Sequence, residues 1–260
     1  MDAIPTWIFY IIAAVAGLEL GGLATIFIQR WIDEQPILKP GRSMCPACEH
    51  KLSWLDTIPV LSYFLLGGRC RHCDDRIGGQ YMLVEISCMA WSLALAFHFG
   101  MTLYWPIHLV LGCMLIAGSF IDFETFLLPN RITFGGAVLA VAASFVLENP
   151  GWQDAILGAV FGGMFFWILQ QAYRLWRKEE GLGTGDVKLM LMVGAMTGLT
   201  GLPLTILAAA VTSALASAFY VLRPGGEGLK TRIPFGPFLS LGCMVYVLYG
   251  EPIMRWWNSY

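Results

Sequence analysis

Long runs of apolar residues, separated by short polar stretches, dominate this sequence. Several runs approach the roughly 20 residues that an α-helix needs to cross the hydrocarbon core of a bilayer. From this pattern we predict eight membrane-spanning helices. Their approximate bounds are Ile4–Ile28, Tyr81–Phe97, Trp105–Ile121, Ile132–Leu147, Ala155–Tyr173, Val187–Leu202, Leu204–Leu222 and Phe235–Gly250. The sixth and seventh run together through Gly201-Leu-Pro203, which we interpret as a tight turn.

The composition supports this interpretation. The chain has 260 residues, of which 57% are hydrophobic and only 13% are charged, and its mean hydropathy is +0.64. A soluble domain would carry about twice that share of charged residues. We therefore expect an all-α polytopic membrane protein whose core is packed within the lipid bilayer. The net charge of −2 is uninformative about nucleic acid, but no basic stripe interleaved with aromatic residues is visible, so we expect no nucleic-acid partner.

The basic residues are distributed unevenly between the two sides of the predicted membrane. Under the eight-helix interpretation, fifteen of the sixteen Lys and Arg residues lie on one side, and only Arg255 lies on the other. Cytoplasmic loops carry an excess of Lys and Arg, so that side is predicted to be the cytosol and both chain termini to be periplasmic. The predicted organisation is a first transmembrane helix over residues 1–28, a cytosolic domain over 29–79 and a seven-helix membrane domain over 80–260.

Two CxxC pairs stand in the predicted cytosolic domain. They are Cys45-Pro-Ala-Cys48 and, after 21 intervening residues, Cys70-Arg-His-Cys73. Two such pairs are typical of zinc knuckles, which close a tetrahedral site with four thiolates. Redox chemistry and disulfides are the alternatives, but the paired spacing argues against a lone redox motif and the cytosol against stable disulfides. We predict a small domain like a zinc ribbon, in which the four cysteines bind a structural zinc ion.

Two aspartates lie where an apolar chain seldom holds charge. Asp122 ends the third apolar run and Asp186 precedes the sixth, so both are predicted at the cytosolic ends of helices. A carboxylate at such a position is a functional-site candidate, although each could singly be an interfacial or helix-capping residue. Two carboxylates that share one proton can activate a water molecule and polarise a carbonyl, as in aspartic proteases. We therefore expect Asp122 and Asp186 to be catalytic.

Other polar and small residues are candidates for supporting roles. Gly183 and Gly185 let the backbone approach the second aspartate closely. Lys188 either tunes the aspartates, touches substrate or extends to the membrane surface. Glu85, one turn into the second predicted helix, either supports the site or reaches the lipid headgroups. Glu19 lies deeper in the first helix, where a polar partner, a substrate amine or a helix-packing hydrogen bond are the alternatives.

These motifs resemble those of the bacterial type IV prepilin peptidases. Gly183-Thr-Gly185-Asp186-Val-Lys188 looks like that family's GxGD-type aspartyl-protease motif. Asp122, with Leu128-Pro129-Asn130 downstream, is similar to the segment around its first catalytic aspartate. The two cysteine pairs look like its tetracysteine domain. Three further stretches match the family, Ile58-Pro-Val-Leu-Ser-Tyr63, Tyr81-Met-Leu-Val-Glu85 and Ile233-Pro-Phe-Gly-Pro-Phe238.

The resemblance covers nearly the whole chain and implies an activity. Members of this family cut the short basic leader from type IV prepilins and from pseudopilins of type II secretion, after a glycine and on the cytosolic side of the substrate's apolar helix. They typically then N-methylate the new terminal residue with S-adenosylmethionine. The implied location is the bacterial inner membrane, with both aspartates and the cysteine domain in the cytosol, which agrees with the distribution of Lys and Arg. The pattern predicts no particular oligomeric state.

The chain departs from the family pattern near the end of the first helix. The family usually has Gly-Ser-Phe-Leu-Asn-Val there, whereas this chain has glycine at position Gly22 and threonine at position Thr25 in place of the serine and the asparagine. The change concerns methylation or substrate docking, and the protease motifs are intact. No GxGxxG fingerprint marks a nucleotide site, so residue spacing does not locate the methyl donor.

Two other classes of function fit parts of the pattern. Intramembrane acids act as proton relays in transporters and channels, but transporters commonly have repeated halves and sites near the bilayer midplane, and no internal repeat is visible here. An assembly factor of a pilus or secretion machine would use the cysteine domain for docking and would not need the aspartates. Substitution of the two aspartates therefore distinguishes the three hypotheses.

Overall fold

The computed structural model describes residues 5–36, 45, 47–48, 50–51, 53, 56, 58–178, 181–222 and 233–257. A few sequence predictions concern residues outside these ranges. They are the start of the first helix at Ile4 and the cytosolic placement of Lys39, Arg42, Arg223, Lys230 and Arg232.

Helices make up nearly all the regular structure of the described residues. They are α1 (Thr6–Ile32), α2 (Leu61–Leu65), α3 (Gly79–Phe99), α4 (Tyr104–Thr125), α5 (Asn130–Ala143), α6 (Trp152–Arg177), α7 (Thr184–Leu222) and α8 (Gly236–Trp257). All except α2 and α5 are long and apolar enough to cross a membrane, and α5 is apolar but has only 14 residues. Within the described ranges β-structure is limited to isolated bridges. The prediction of an all-α polytopic membrane protein is confirmed.

The longest helix, α7, changes direction at Gly198. This residue has φ 68° and ψ 175°, a conformation that is essentially restricted to glycine. Met190 and Leu202 are twelve positions apart in α7, yet both approach the same residue of α6. A Cβ at Gly162 would lie 3.1 Å from the Leu202 side chain and 3.3 Å from the Met190 side chain. Twelve residues of straight helix would span about 18 Å. The chain therefore folds back at Gly198, and α7 consists of two limbs.

The predicted turn at Gly201-Leu-Pro203 is therefore placed three residues too late. The reversal is stabilised from outside α7, because the Asp154 side chain accepts a hydrogen bond from the Leu199 backbone N–H at 3.1 Å and one from the Thr200 hydroxyl at 3.4 Å. Pro203 lies inside the second limb. Proline marks the region as irregular, but the backbone conformation that reverses the chain requires glycine.

The chain divides into two compact units, unit 1 over Met1–Ala117 and unit 2 over Gly118–Tyr260. In unit 1, α1 packs closely on α3, because Gly17 and Gly21 bring the two backbones together. A hydrogen bond of 2.7 Å from the Ser92 hydroxyl to the Ala13 carbonyl also joins these helices. The predicted division at residues 28 and 79 stays a prediction.

In unit 2, α7 packs against α5, α6 and α8. Its first limb is enclosed, and five of its apolar side chains are at most 1% exposed, Leu189, Met190, Met192, Val193 and Ala195. The limb begins two residues before Asp186. The buried packing of the limb thus fixes the position and direction of this aspartate within unit 2.

Candidate active site

Asp122 lies in the last turn of α4. The helix extends beyond its predicted end at Ile121, so that the Asp122 carbonyl accepts a hydrogen bond of 3.0 Å from the Phe126 backbone N–H. The residue is only 5% exposed. An apolar helix therefore holds this carboxylate away from bulk solvent at its very end.

Asp186 lies in the first turn of α7. Its backbone N–H donates to the Gly183 carbonyl at 3.2 Å, and the residue is 8% exposed. A Cβ at Gly183 would stand 3.4 Å from Oδ2 of Asp186. The glycine-rich turn before the helix thus folds tightly around the carboxylate, as the motif predicts.

The two aspartates are close enough for the Asp122 carboxylate to act electrostatically on Asp186. The Leu128 side chain lies close to a neighbour of each aspartate. It would be 3.2 Å from a Cβ at Gly185, which precedes Asp186, and 3.3 Å from a Cβ at Gly236, which is next to Asp122. The structure therefore brings Asp122 and Asp186, which are 64 positions apart in the sequence, into one buried site in unit 2.

Gly236, at the start of α8, is a member of this site that the sequence analysis did not single out. A Cβ there would stand 2.5 Å from Oδ2 of Asp122, so a side chain would displace the carboxylate. The backbone N–H of Gly236 is close to the carboxylate, yet Oδ2 has no hydrogen-bond partner among the described residues. The signal for it was present in Ile233-Pro-Phe-Gly-Pro-Phe238, which matched the family without suggesting a contact.

Lys188 connects two of the predicted motifs. Its Nζ donates a hydrogen bond of 3.0 Å to Oδ1 of Asn130 and lies 6.0 Å from the centre of the Phe134 ring. Asn130 directly follows Pro129 at the start of α5. This contact joins the beginning of α5 to the beginning of α7.

Glu85 belongs to unit 1 and not to the unit that contains the aspartates. Its Oε2 accepts a hydrogen bond of 2.6 Å from the backbone N–H of Val60, a residue with φ 60°. A positive φ is strained for a β-branched residue, and the carboxylate supports it. Glu85 and Glu19 both line a cavity of unit 1. A supporting role for Glu85 toward Asp122 and Asp186 stays a prediction.

The four cysteines converge as their spacing predicts. All four sulfur atoms lie within 4.8 Å of one another, with Cys45 and Cys73 at 3.8 Å and Cys48 and Cys70 at 4.0 Å. Four thiolates bound tetrahedrally at 2.3 Å from zinc would stand about 3.8 Å apart. The described cluster contains sulfur ligands alone, the donor set of structural zinc sites. These residues therefore fit a zinc ion.

The two knuckles have matching backbone geometry. In each, the first cysteine donates its N–H to the carbonyl five residues later, from Cys45 to His50 at 3.0 Å and from Cys70 to Asp75 at 2.8 Å. The backbone N–H of His72 and that of Cys73 donate to the Cys70 sulfur and lower its pKa to about 7, whereas burial and the neighbouring thiols raise the pKa of Cys48 and that of Cys73. A lower pKa favours the thiolate that binds metal.

The apolar helices and the buried acid pair are features expected of the membrane-embedded aspartic peptidases, the class that the sequence motifs predict. Comparison with known proteins gives the family. Residues 15–99 match the model of the bacterial peptidase A24 N-terminal domain, and residues 109–218 match that of the type IV leader peptidase family. The chain belongs to the type IV leader peptidase family and is a multi-pass protein of the bacterial inner membrane.

Curated relatives carry the description prepilin leader peptidase/N-methyltransferase. The one from Pseudomonas putida is 33% identical, over 94% of this chain and 92% of its own length. That from Aeromonas hydrophila is 31% identical over 96% and 94% of the two chains. That from Pseudomonas aeruginosa is 37% identical over 82% and 73%. No solved structure matches this chain. The resemblance deduced from the motifs is confirmed.

Proposed function

We propose that this enzyme removes the basic leader from type IV prepilins and type II secretion pseudopilins, cutting after a glycine on the cytosolic side of the membrane. It then N-methylates the new terminal residue with S-adenosylmethionine. The observation that carries the proposal is the buried pair of interacting carboxylates, Asp122 and Asp186, at the ends of two apolar helices. The names of the relatives agree with both activities.

The two aspartates have complementary roles in this proposal. One is ionised and takes a proton from the attacking water, while the other is protonated and donates a hydrogen bond to the scissile carbonyl. The water oxygen bonds to the carbonyl carbon, and the amide nitrogen leaves as an amine after receiving a proton. Oδ2 of Asp122, which lacks a partner among the described residues, is available to the water or the substrate.

The surroundings of the aspartates position them for this reaction. Gly236 lets the Asp122 carboxylate lie directly against the start of α8, since a side chain at that position would displace it. The hydrogen bond between Lys188 and Asn130 fixes the beginnings of α5 and α7 relative to each other. Catalysis depends on such fixed geometry, because a displacement of about 1 Å can reduce a rate by about 10²-fold.

The cysteine cluster has a structural role in this proposal. Cys45, Cys48, Cys70 and Cys73 bind one zinc ion, which supplies folding free energy to the segment that carries them. With four protein ligands the ion has no open position for a water or a substrate. The excess of Lys and Arg predicts that this segment and both aspartates face the cytosol, with the chain termini in the periplasm.

The test is a cleavage assay with purified full-length enzyme, a purified prepilin and a labelled methyl donor. Product mass reports leader loss and methyl gain separately. Asp122→Asn and Asp186→Asn should each reduce cleavage by about 10²- to 10⁴-fold, the usual contribution of a general acid or base. Glu124→Gln is the matched control, because it removes an exposed carboxylate two positions along the same helix.

Three outcomes would contradict parts of the proposal. Cleavage at a nearly wild-type rate by either aspartate variant would exclude the aspartic mechanism. Leader loss without methyl gain in the wild-type enzyme would exclude the methyltransferase activity. An ion flux through liposomes that needs no prepilin and is lost in both aspartate variants would favour a transporter instead.

A further inference from the structure

Unit 1 contains a cavity of about 450 Å³ bordered by α1, α3 and the cysteine segment. Its size is within the range of sites that bind cofactors and other small molecules. Along α1 the lining runs from Glu19 to Gln29, which is about 15 Å at the rise of an α-helix. Cys45 and Cys70 line it as well. The cavity therefore extends from the membrane-embedded part of α1 to the proposed zinc site.

Two carboxylates from different helices line this cavity. Glu19 comes from α1 and Glu85 from α3, and the charge of Glu19 acts electrostatically on Glu85. Acidic side chains within membrane helices are energetically unfavourable and are usually functional. A cation between them would relieve their mutual repulsion, so this part of the cavity is suited to a positively charged ligand.

The rest of the lining adds two further carboxylates, Asp56 and Asp75, together with groups of other chemistry. Two arginines line the described part of the cavity, Arg71 and Arg76. Arg71 forms an ion pair with Asp56 at 2.9 Å, so Arg76 is the one available to an anionic group of a ligand. Oγ1 of Thr25 is buried and has no hydrogen-bond partner among the described residues. The apolar part of the lining consists of Leu23, Ile26, Pro59, Leu66 and Ile77. The cavity thus combines an acidic part, a basic side chain, a free hydroxyl and an apolar wall.

We propose that this cavity binds S-adenosylmethionine, with Glu19 and Glu85 holding its sulfonium; the proposal rests on the methyltransferase part of the proposed function. The ligand carries a sulfonium, an amino-acid carboxylate, ribose hydroxyls and a planar adenine. The carboxylate is complementary to Arg76, the hydroxyls to Thr25, and the adenine to the apolar wall. When bound, it supplies an electrophilic methyl group.

The acceptor is the terminal amine of the processed substrate, which lies at the end of an apolar helix. Glu19 is placed at membrane depth, where it can accept a proton from the substrate ammonium and leave a free amine. The nitrogen lone pair then forms the bond to the methyl carbon, and the sulfur retains the electron pair of the broken carbon–sulfur bond. The product is a methylated ammonium ion and a neutral thioether, and Glu19 keeps the one proton that it took from the substrate.

The departure from the family pattern falls within this cavity. Gly22 and Thr25, the two positions that differ, both line it. A Cβ at Gly22 would lie 3.2 Å from Cγ of Pro59 and 4.0 Å from Oε1 of Glu85, so a serine fits with a small adjustment. Gly22→Ser with Thr25→Asn would add polar groups to the lining. We expect this double variant to bind the donor several-fold more tightly than the wild type, because a gain of that size corresponds to about one additional net hydrogen bond.

Donor binding is measured directly, by isothermal titration calorimetry of full-length enzyme in detergent with S-adenosylmethionine. Glu19→Gln and Glu85→Gln should each raise the Kd by about tenfold or more, because each removes a charged partner of the sulfonium. Asp33→Asn is the matched control, since it removes an exposed carboxylate at the end of α1 that does not line the cavity. Zinc content and unfolding temperature report whether each variant is folded.

The outcomes separate this inference from the proposed function. A weaker Kd in both glutamate variants and a tighter Kd in the Gly22→Ser, Thr25→Asn variant support the cavity as the donor site. An unchanged Kd in folded Glu19→Gln and Glu85→Gln, with a wild-type enzyme that does methylate, overturns the inference and leaves the proposed function intact. A wild-type enzyme that cleaves prepilin but neither binds the donor nor methylates overturns both.

Discussion

Units 1 and 2 each contain a pair of acidic side chains from two helices, but the surroundings differ. Asp122 and Asp186 are 5% and 8% exposed and packed among glycines and Leu128. Glu19 and Glu85 line a roomy cavity with a basic side chain and an apolar wall. An enclosed pair suits proton exchange with one small nucleophile, whereas an open pair suits a bulky cation. The space around a carboxylate, more than its identity, determines which chemistry it can perform.

The largest effect should come from crowding the enclosed pair. Gly236→Ala would place a Cβ 2.5 Å from Oδ2 of Asp122 and should reduce prepilin cleavage by about 10²-fold, because the carboxylate must move. Gly151→Ala is the matched control, since the nearest atom to its Cβ would be 3.9 Å away. Rates come from the leader-cleavage assay, and donor binding should not change. A parallel loss of donor binding would mean that the two acid pairs are not independent.

Removal of the metal should have the opposite pattern of effects and impair donor binding more than cleavage. Cys48→Ser removes one of four ligands and should lower zinc affinity by more than about tenfold, as measured by metal analysis of the purified protein. Because Cys45 and Cys70 line the cavity, donor binding should weaken with zinc loss, more than cleavage does. Cys113→Ala in α4 is a control outside the cluster. Less than about half an equivalent of zinc in active wild-type protein would contradict the zinc assignment.

A smaller effect is expected at the edge of unit 2. Lys188→Met breaks the hydrogen bond to Asn130 and should lower kcat/KM for cleavage by about tenfold, the contribution of a hydrogen bond to a charged group. Asn130→Ala should have a similar effect, and the double variant should be little worse than either alone. A double variant with fully additive losses would show that the two side chains act separately.

The smallest effect on catalysis should come from the reversal of α7. Gly198→Ala forces alanine into a conformation reserved for glycine, at a cost of about 1–3 kcal/mol in unfolding free energy. Thermal unfolding should show a lower midpoint, while Gly151→Ala should leave it nearly unchanged. An equal midpoint for Gly198→Ala and wild type would mean that the reversal tolerates other backbone conformations.

Residue spacing predicted local geometry well and distant contacts poorly. The two CxxC pairs converge because each pair fixes a short backbone turn, and only one long contact remains to be made. Asp122 and Asp186 could be assigned the same depth from hydropathy and charge. That they interact depends on how α4 and α7 are placed, which hydropathy does not encode.

Two features could be recognised only from the structure, the contact of Gly236 with Asp122 and the cavity of unit 1. Gly236 is next to Asp122 because α8 begins there, a contact between positions 114 residues apart. The cavity depends on the close approach of α1 and α3 at Gly17 and Gly21, which aligns Glu19 with Glu85. The turn in α7 was misplaced because proline is a conspicuous helix breaker, whereas one glycine among many in this chain gives no such signal.

The shortness of two helical segments has a consequence for the lipid around the enzyme. α5 has 14 residues, and the first limb of α7, from Thr184 to Thr197, has the same number. Each therefore spans about 21 Å, against a hydrocarbon core of about 30 Å. Either the bilayer thins beside unit 2 or the ends that carry Asn130 and Asp186 lie below the membrane surface. Both cases make the rate of cleavage depend on acyl-chain length, so bilayer thickness itself becomes a variable of this enzyme's activity.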